Sequence, residues 1–160
     1  MADAHNDTLG LYGIPLNRMV TFRLQRLYAK LGAQAAKILK ETAGLTPAQW
    51  RVLVMVDALG PVSSNQIVRS IIIDKGQLSR VLKGMVEQGL VELSHSESDQ
   101  RSHVISMTEK GRTLFERARP AMTSRQREIS NTLSNEEFDI LIRAFDRLEA
   151  FASETSEEPA

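Results

Sequence analysis

The chain has 160 residues, and its 20 lysines and arginines balance 20 aspartates and glutamates, so the formal net charge is zero. This length suits one domain with a packed core. Cysteine is absent, which excludes disulfides, thiolate metal sites and cysteine-based redox sensing. No apolar run approaches the ~20 residues of a membrane span and the N-terminus has no signal-peptide core, so we expect a cytoplasmic protein with no membrane partner.

Motifs of catalysis are missing from the sequence. We find no glycine-rich phosphate loop, no HExxH pair and no nucleophile elbow. No set of histidine, serine and carboxylate residues has catalytic spacing either. We therefore expect neither an enzyme nor a bound cofactor or metal.

The first predicted element after a flexible N-terminus is a long helix from Arg18 to Lys40. This range has six cationic residues and no acidic one. Apolar residues recur along one stripe at helical spacing, which predicts a buried face. That stripe consists of Leu16, Val20, Leu27, Leu31 and Ile38.

Two shorter helices follow, each with a start signal. Thr46-Pro47 predicts a helix capped by the threonine, and Gly60-Pro61 ends it. Its predicted apolar positions are Trp50, Leu53, Val54 and Leu59. The run from Ser63 to Gln66 has the spacing of a capping box and opens the next helix. The apolar positions of that helix are Ile67, Val68 and Ile71.

The next predicted helix begins after Asp74, which can cap it. Its apolar face consists of Leu78, Val81, Leu82 and Met85, at steps of three and four residues. The opposite face is small, polar and cationic, with Gly76, Arg80 and Lys83 at its centre and Gln77 and Ser79 on its flanks. Two helices joined by about three residues, the second with a polar outer face, are typical of a helix-turn-helix.

A hairpin is predicted directly after this helix. Strand-like residues from Leu90 to Leu93 and from Val104 to Met107 flank the polar segment from Ser96 to Arg101. A hairpin in this place forms the wing of a winged helix-turn-helix. The fold class is therefore mainly α, with a small β component (α+β).

The C-terminal part of the chain predicts two more helices. One extends from Thr108 to Thr132, and the other opens at a capping box formed by Ser134 and Glu137. The apolar positions of the last helix are Phe138, Leu141, Ile142, Phe145 and Leu148. The long helices at both ends have more apolar surface than one small domain covers, which favours a helical core shared by two copies. Burial within a single chain is the alternative.

From Leu45 to Leu114 the chain resembles the MarR family of bacterial transcription regulators in the order and spacing of its motifs. The wing contains Asp99-Gln100-Arg101, and the second strand leads into Met107-Thr108-Glu109-Lys110-Gly111, where the family usually has leucine at the first position. The resemblance implies a homodimer held by its N- and C-terminal helices. It also implies a repressor that a small-molecule effector releases from a palindromic operator in double-stranded DNA.

These expectations divide the chain into segments. Residues 1–12 form a flexible N-terminus and residues 153–160 a flexible acidic tail. Residues 13–44 and 112–152 form the helical dimerisation region, and residues 45–111 form the winged DNA-binding domain.

The predicted DNA contacts lie on three elements. Arg80 and Gln77 are candidates for reading base edges, because arginine suits guanine and glutamine suits adenine. Arg101 would enter the minor groove with Asp99 bracing the wing. Phosphate contacts are expected from Ser64, Asn65, Lys75, Ser79 and Lys83. Ser63 is expected to act only as a helix cap. An ordinary solvated position remains the alternative for each of these residues.

An effector pocket between the winged domain and the helical region is suggested by related regulators, which bind small lipophilic compounds. Arg23 within an apolar stripe would suit an anionic effector. The predicted lining is Leu16, Met19, Phe22, Arg23, Trp50 and Met55. For Trp50, a plain core position is the leading interpretation. His95 and His103 at the ends of the wing strands could approach each other, and a metal-binding or pH-sensing role for them stays open.

Charge is the feature that fits DNA binding least well. The net charge is zero, and the range from Asp74 to His103 has four cations against five anions. Nucleic-acid-binding domains are usually basic. The alternative function is therefore a winged-helix module that binds other proteins and no DNA.

Overall fold

The structure is a computed structural model, and it describes residues 13–71, 74–95 and 103–154. By contacts, the chain divides into two compact units, residues 1–120 and residues 121–160. Helix α5 passes from the first unit into the second. Among the described residues, no helix combines the length and the hydropathy needed to cross a bilayer.

The first unit begins with a short 3-10 turn, Leu16–Arg18, and a long helix α1, Val20–Ala43. Helix α1 therefore starts two residues later and ends three residues later than predicted. Its end is set by Gly44, whose positive φ of 68° and N–H bond to the Lys40 carbonyl form a left-handed cap.

Burial along α1 also differs from the predicted stripe. Val20 and Leu27 are about half exposed, whereas the buried residues are Ala35, Leu39 and Ala43. None of the predicted stripe residues is therefore fully buried, and the buried positions of α1 lie toward its C-terminal end.

Helix α2 extends over Pro47–Leu59 and has the predicted start. The Thr46 hydroxyl accepts a hydrogen bond from the Gln49 amide at 3.2 Å, and the Gln49 side chain accepts one from the Thr46 amide at 2.9 Å. Two predicted core positions are wrong, because Val54 and Leu59 are exposed. The buried face instead follows a single line of helical spacing through Gln49, Val52, Leu53 and Val56.

The helix-turn-helix consists of α3, Ser64–Ile71, and α4, Lys75–Glu87. A three-stranded antiparallel sheet accompanies it, formed by β1 (Val62–Ser63), β2 (Val91–His95) and β3 (His103–Met107) in the order β1-β3-β2. Strands β2 and β3 form the predicted hairpin, in which Val91 pairs with Met107 and Leu93 with Ile105.

The core of the first unit lies between these elements and the start of α5, Glu109–Asn131. Its largest fully buried side chains come from every one of α1 to α4 and from the sheet. They include Leu39, Leu53, Ile67, Leu78, Met85, Leu90 and Ile105. This core fixes α3, α4 and the hairpin relative to one another, which confirms the mainly helical winged fold.

The second unit contains the rest of α5 and helix α6, Asn135–Glu154. The predicted capping box is present, since the Ser134 amide donates to the Glu137 carboxylate at 2.8 Å and the Glu137 amide donates to the Ser134 hydroxyl at 3.2 Å. The apolar positions of α6 are mostly exposed. Phe138, Leu141, Ile142 and Leu148 are each exposed by 37–42%.

Candidate nucleic-acid interface

Helix α4 presents one polar side to solvent because its other side is anchored in the core. The Asp74 carboxylate caps the helix by accepting a hydrogen bond from the Gln77 amide at 2.9 Å. Leu78, Leu82 and Met85 are buried as predicted. Between positions 75 and 83 the exposed residues are Lys75, Gly76, Gln77, Ser79, Arg80 and Lys83.

The C-terminal end of α4 is held from two directions. The Gln88 carbonyl accepts a hydrogen bond from Lys110 Nζ at 2.7 Å. The Gln88 side-chain oxygen accepts one from Gln49 Nε2 at 3.0 Å. Helix α4 is therefore tied to α2 and to the start of α5 by partners distant in sequence.

Helix α3 enters beside α4 through the predicted capping box. The Ser63 amide donates to Gln66 Oε1 at 2.8 Å, and the Gln66 amide donates to the Ser63 hydroxyl at 3.3 Å. Ser63 thus acts as the cap, as predicted. Ser64 and Asn65 occupy the first turn of α3 and are partly or fully exposed.

A groove of about 560 Å³ lies between α3, α4 and strand β2. Five of the predicted DNA-contacting residues line it, although they come from two different helices. These residues are Ser64, Asn65, Lys75, Ser79 and Lys83. On α4 they follow one line at steps of four residues, so the structure brings the expected phosphate contacts to one side of the helix.

The two candidate base readers lie on another line of the same helix. Gln77 and Arg80 are exposed, three residues apart, and neither lines the groove. Arg80 Nε donates to the Gly76 carbonyl of its own helix at 3.3 Å. Among the described residues the Arg80 side chain bonds to the backbone of its own helix, so it can reorient toward a base edge.

The predicted wing contacts Asp99 and Arg101 lie outside the described residues. The strands that lead to them are described up to His95 and His103, whose backbones are paired in register. The histidines thus lie across from each other, as the sequence suggested. Among the described residues no group of three or more histidine, cysteine, aspartate or glutamate side chains could hold a metal ion.

The six residues of the predicted effector pocket have mixed environments. Trp50 is half-buried and stacks on buried Phe115, with ring centroids 5.0 Å apart and an interplanar angle of 21°. Arg23 is exposed. The other four are half-buried, namely Leu16, Met19, Phe22 and Met55. A ligand site at these residues stays a prediction.

Sequence reasoning missed the apolar lining of the groove. Val68, Leu82, Val86 and Leu93 line it together with the polar residues. Val86 and Leu93 are 40% and 43% exposed. A signal for Val86 was present, since it follows Ser79 and Lys83 at steps of four and three residues. No sequence signal pointed to Leu93. Alternation along β2 places Leu93 on the same side of the strand as buried Val91, which would predict that Leu93 is buried too.

Known proteins resemble this chain both in sequence and in fold. A sequence model of the MarR family matches residues 43–102, which cover α2, α3, α4 and β2. The structure of a MarR/EmrR family transcriptional regulator from Acinetobacter sp. ADP1 is similar, with a TM-score of 0.80 and 23% identity over 88% of this chain and 99% of that chain.

Two further solved structures are similar to this chain. The M. tuberculosis transcriptional regulator MOSR in complex with DNA is similar with a TM-score of 0.73 and 23% identity, over 88% of this chain and 100% of that one. Bordetella bronchiseptica BpsR, whose DNA binding is regulated by 6-hydroxynicotinic acid, is similar with a TM-score of 0.63 and 22% identity, over 79% of this chain and 98% of that one.

The segment that matches the family in sequence is also part of the fold shared with the solved structures. Both include the helix-turn-helix and strand β2, and the sequence match ends directly before strand β3. Residues 43–102 therefore match the MarR family of transcription regulators in sequence, and the described residues have the winged helix-turn-helix fold, so the resemblance noted in the sequence is confirmed.

Proposed function

We propose that the protein is a homodimeric repressor that binds a palindromic operator and is released from it by a small-molecule effector. The observation that carries this proposal is the exposed polar side of α4, anchored by Leu78, Leu82 and Met85 and held at its end through Gln88. A rigid helix with a polar outer face is the element that enters the major groove in helix-turn-helix proteins.

Each residue row of α4 has its own role in this proposal. Gln77 and Arg80 read base edges, and Arg101 of the wing enters the flanking minor groove. Lys75, Ser79 and Lys83, together with the first turn of α3, contact phosphates and fix the register of the helix. Since the whole chain has no net charge, these local contacts supply the affinity.

Two copies are needed because one helix reads only a few base pairs. A two-fold axis would place two α4 helices in successive major grooves about one helical turn apart. The exposed apolar positions of α6 and of the first half of α1 supply surface for such a dimer.

Release follows if an effector prefers a dimer in which the two α4 helices have the wrong spacing. The effector then lowers DNA affinity by the difference between its binding free energies for the DNA-binding and the released dimer, typically about 1–3 kcal/mol. We assign this effector to the half-buried set around Met19, Phe22 and Met55, with Arg23 facing an anionic group. DNA binding by BpsR, whose fold is similar, is regulated by 6-hydroxynicotinic acid, which supports a small aromatic acid as the effector.

The test begins with selection of bound sites from a random duplex pool. With the selected operator, Arg80→Ala and Gln77→Ala should each weaken binding by roughly 5- to 150-fold and alter the preferred base at one half-site position. Lys30→Ala is the matched control, because Lys30 is an exposed cation on α1. Unchanged affinity and base preference in both α4 variants would contradict the assignment.

The same titrations test the alternative function. A winged module that binds only proteins would show no salt-dependent retardation of any selected duplex. The zero net charge favours this second function, whereas the exposed Lys75, Arg80 and Lys83 on α4 favour DNA.

A further inference from the structure

Helix α1 carries a row of positive charge on its outer side. At 100° per residue, four exposed cations lie within about 80° of the helix circumference. We call them the cationic row, and they are Arg26, Lys30, Lys37 and Lys40. Among the described residues none of the four forms a salt bridge. Glu41, at one edge of the row, is the only acidic residue of α1, so the row is cationic although the whole chain has no net charge.

The length of the cationic row suits a polyanion. From Arg26 to Lys40 the row extends about 21 Å along the helix axis. One strand of duplex DNA presents about six phosphates over that length. A groove of about 530 Å³ lies directly beside Lys37 and Lys40, so this end of the row is open to a large ligand.

The side chains of the cationic row favour phosphates of a nucleic acid over a lipid surface. Helices that lie on membranes carry large apolar side chains beside their cations. Here the residue between the cations is Ala33, and Ala29 lies at the edge of the row. Three of the four cations are lysines, which bind phosphates as point charges. Contacts of this kind hold a DNA backbone without reading its sequence.

Helix α2 separates the cationic row from α4. On α2, Gln49 and Arg51 lie on nearly opposite sides, since they are about 200° apart. Gln49 bonds to Gln88 at the end of α4. Arg51 Nη2 instead donates to the Tyr28 hydroxyl of α1 at 3.2 Å. Tyr28 is about 200° from Arg26 around α1, so the cationic row points away from α2 and from α4 beyond it.

We propose that the cationic row of α1 binds the phosphate backbone of a second DNA duplex while α4 holds the operator. A duplex on α4 lies on the far side of α2, so the row contacts another segment, and one dimer bridges two segments. The bridging rests on the proposed function, whereas binding of a duplex to the row does not. The exposed apolar positions of α1 offered to the dimer lie about 100–160° from Arg26, so the proposed dimer does not use the row. These positions are Val20, Leu24 and Leu27.

The first experiment isolates the cationic row from α4 in the full-length protein. Every protein tested carries a neutralised α4, with the substitutions Lys75→Gln, Arg80→Gln and Lys83→Gln. The row variant adds Lys30→Gln, Lys37→Gln and Lys40→Gln. The matched control removes the same charge from exposed positions elsewhere, and it adds Arg127→Gln, Arg143→Gln and Arg147→Gln. Circular dichroism checks that each protein is folded.

Fluorescence anisotropy with a labelled duplex of random sequence, at low salt, measures the binding. The row variant should bind roughly tenfold more weakly than its parent, and the slope of log affinity against log salt should fall by about 2 to 3, because three phosphate contacts are lost. The control should keep both values close to those of the parent. Equal affinity and equal slope in the row variant and the control would overturn the proposal.

Two further measurements separate DNA from other occupants of the cationic row. Polyglutamate binding to the parent as tightly as the duplex would show that the row takes an acidic protein, and the proposal would fail. Sedimentation equilibrium tests the second copy of the chain as the occupant. A row variant that sediments as single chains where the control is a dimer would show that the row holds the dimer, which would equally end the proposal.

The second experiment tests the bridging with an unmodified α4. Beads coated with the selected operator are loaded with protein, and they should then retain a labelled duplex of random sequence. The three row substitutions should lower retention roughly tenfold, and the three control substitutions should leave it within about twofold. Failure of the wild type to retain the duplex would exclude bridging. If selection yielded no operator, the proposed function would fail, and the anisotropy titration would still decide whether the row binds DNA.

Discussion

Gly111 lies in the first turn of α5, the helix that follows the hairpin. Its amide donates to the Thr108 hydroxyl at 3.0 Å, and that hydroxyl in turn donates to the Gly89 carbonyl at 2.6 Å. A Cβ atom at Gly111 would overlap the Leu90 carbonyl oxygen and lie 3.0 Å from Met107 Cγ. The first turn of α5 can therefore contact the end of β3 and the residue before β2 only because this side chain is missing.

We expect Gly111→Ala to lower the free energy of unfolding by roughly 1–3 kcal/mol, because the added methyl group forces the backbones of α5 and Leu90 apart. Gly32→Ala is the matched control. Gly32 is also helical, and a Cβ there would meet nothing within 4 Å, so this change should raise stability by about 0.5–1 kcal/mol. Urea unfolding of both variants measures the difference. A Gly111→Ala protein as stable as wild type would contradict the close approach.

At the scale of one element, the cap at the start of α6 lowers the pKa of a carboxyl group. The Ser134 backbone amide donates a hydrogen bond to the Glu137 carboxylate, and the Ser134 side chain adds to it. These bonds favour the charged form and lower the pKa of Glu137 from its ordinary value of 4.5. Because the folded-state pKa is lowered, the stabilisation is fully present above pH 4.5 and is lost as the pH falls through the folded-state pKa.

An NMR titration of the side-chain carboxyl carbons should therefore place the pKa of Glu137 below 4.5. Ser134→Ala should move this pKa upward, since it removes the side-chain contribution. The variant Glu137→Gln controls for the helix itself, and it should abolish the part of the acid-induced loss of α6 helicity that depends on this carboxylate. A titration midpoint at or above 4.5 in the wild type would refute the capping box as the cause.

At the scale of the whole molecule, α6 has more apolar surface than the second unit covers. At 100° per residue, Phe138, Leu141, Ile142 and Leu148 lie within about one third of the helix circumference. All four are more than one third exposed. A helix of this kind is stable in water only if another surface covers it. The exposed apolar side of α6 thus supports the proposal of a dimer without any argument from DNA binding.

Leu141→Lys should convert a dimer into monomers at micromolar concentration, because it places a charge in the apolar stripe. Arg143→Gln is the control. Arg143 lies on the polar side of the same turn and is exposed, so its removal should leave the mass unchanged. Sedimentation equilibrium reads the mass directly. Wild-type protein sedimenting as single chains throughout the micromolar range would exclude the dimer, and with it the two-fold reading of an operator.

Local sequence determined much of this protein. The caps at Thr46, Ser63, Asp74 and Ser134 were all predicted, because a cap and its partner lie within three residues of each other. The buried face of α4 followed from its period in the same way. The sequence alone therefore predicted the helix-turn-helix, the hairpin and the resemblance to the MarR family.

Tertiary structure decided what surrounds the candidate site. The hydrogen bonds that hold the end of α4 join residues far apart in sequence: Gln49 and Gln88 are 39 residues apart, and Lys110 and Gln88 are 22 apart. A local sequence pattern therefore could not predict them. The exposure of Val54 and Leu59 was also mispredicted, since hydropathy does not say which face of a helix a neighbour covers. The groove on α4 exists for the same reason: its walls come from three elements, and only packing brings them together.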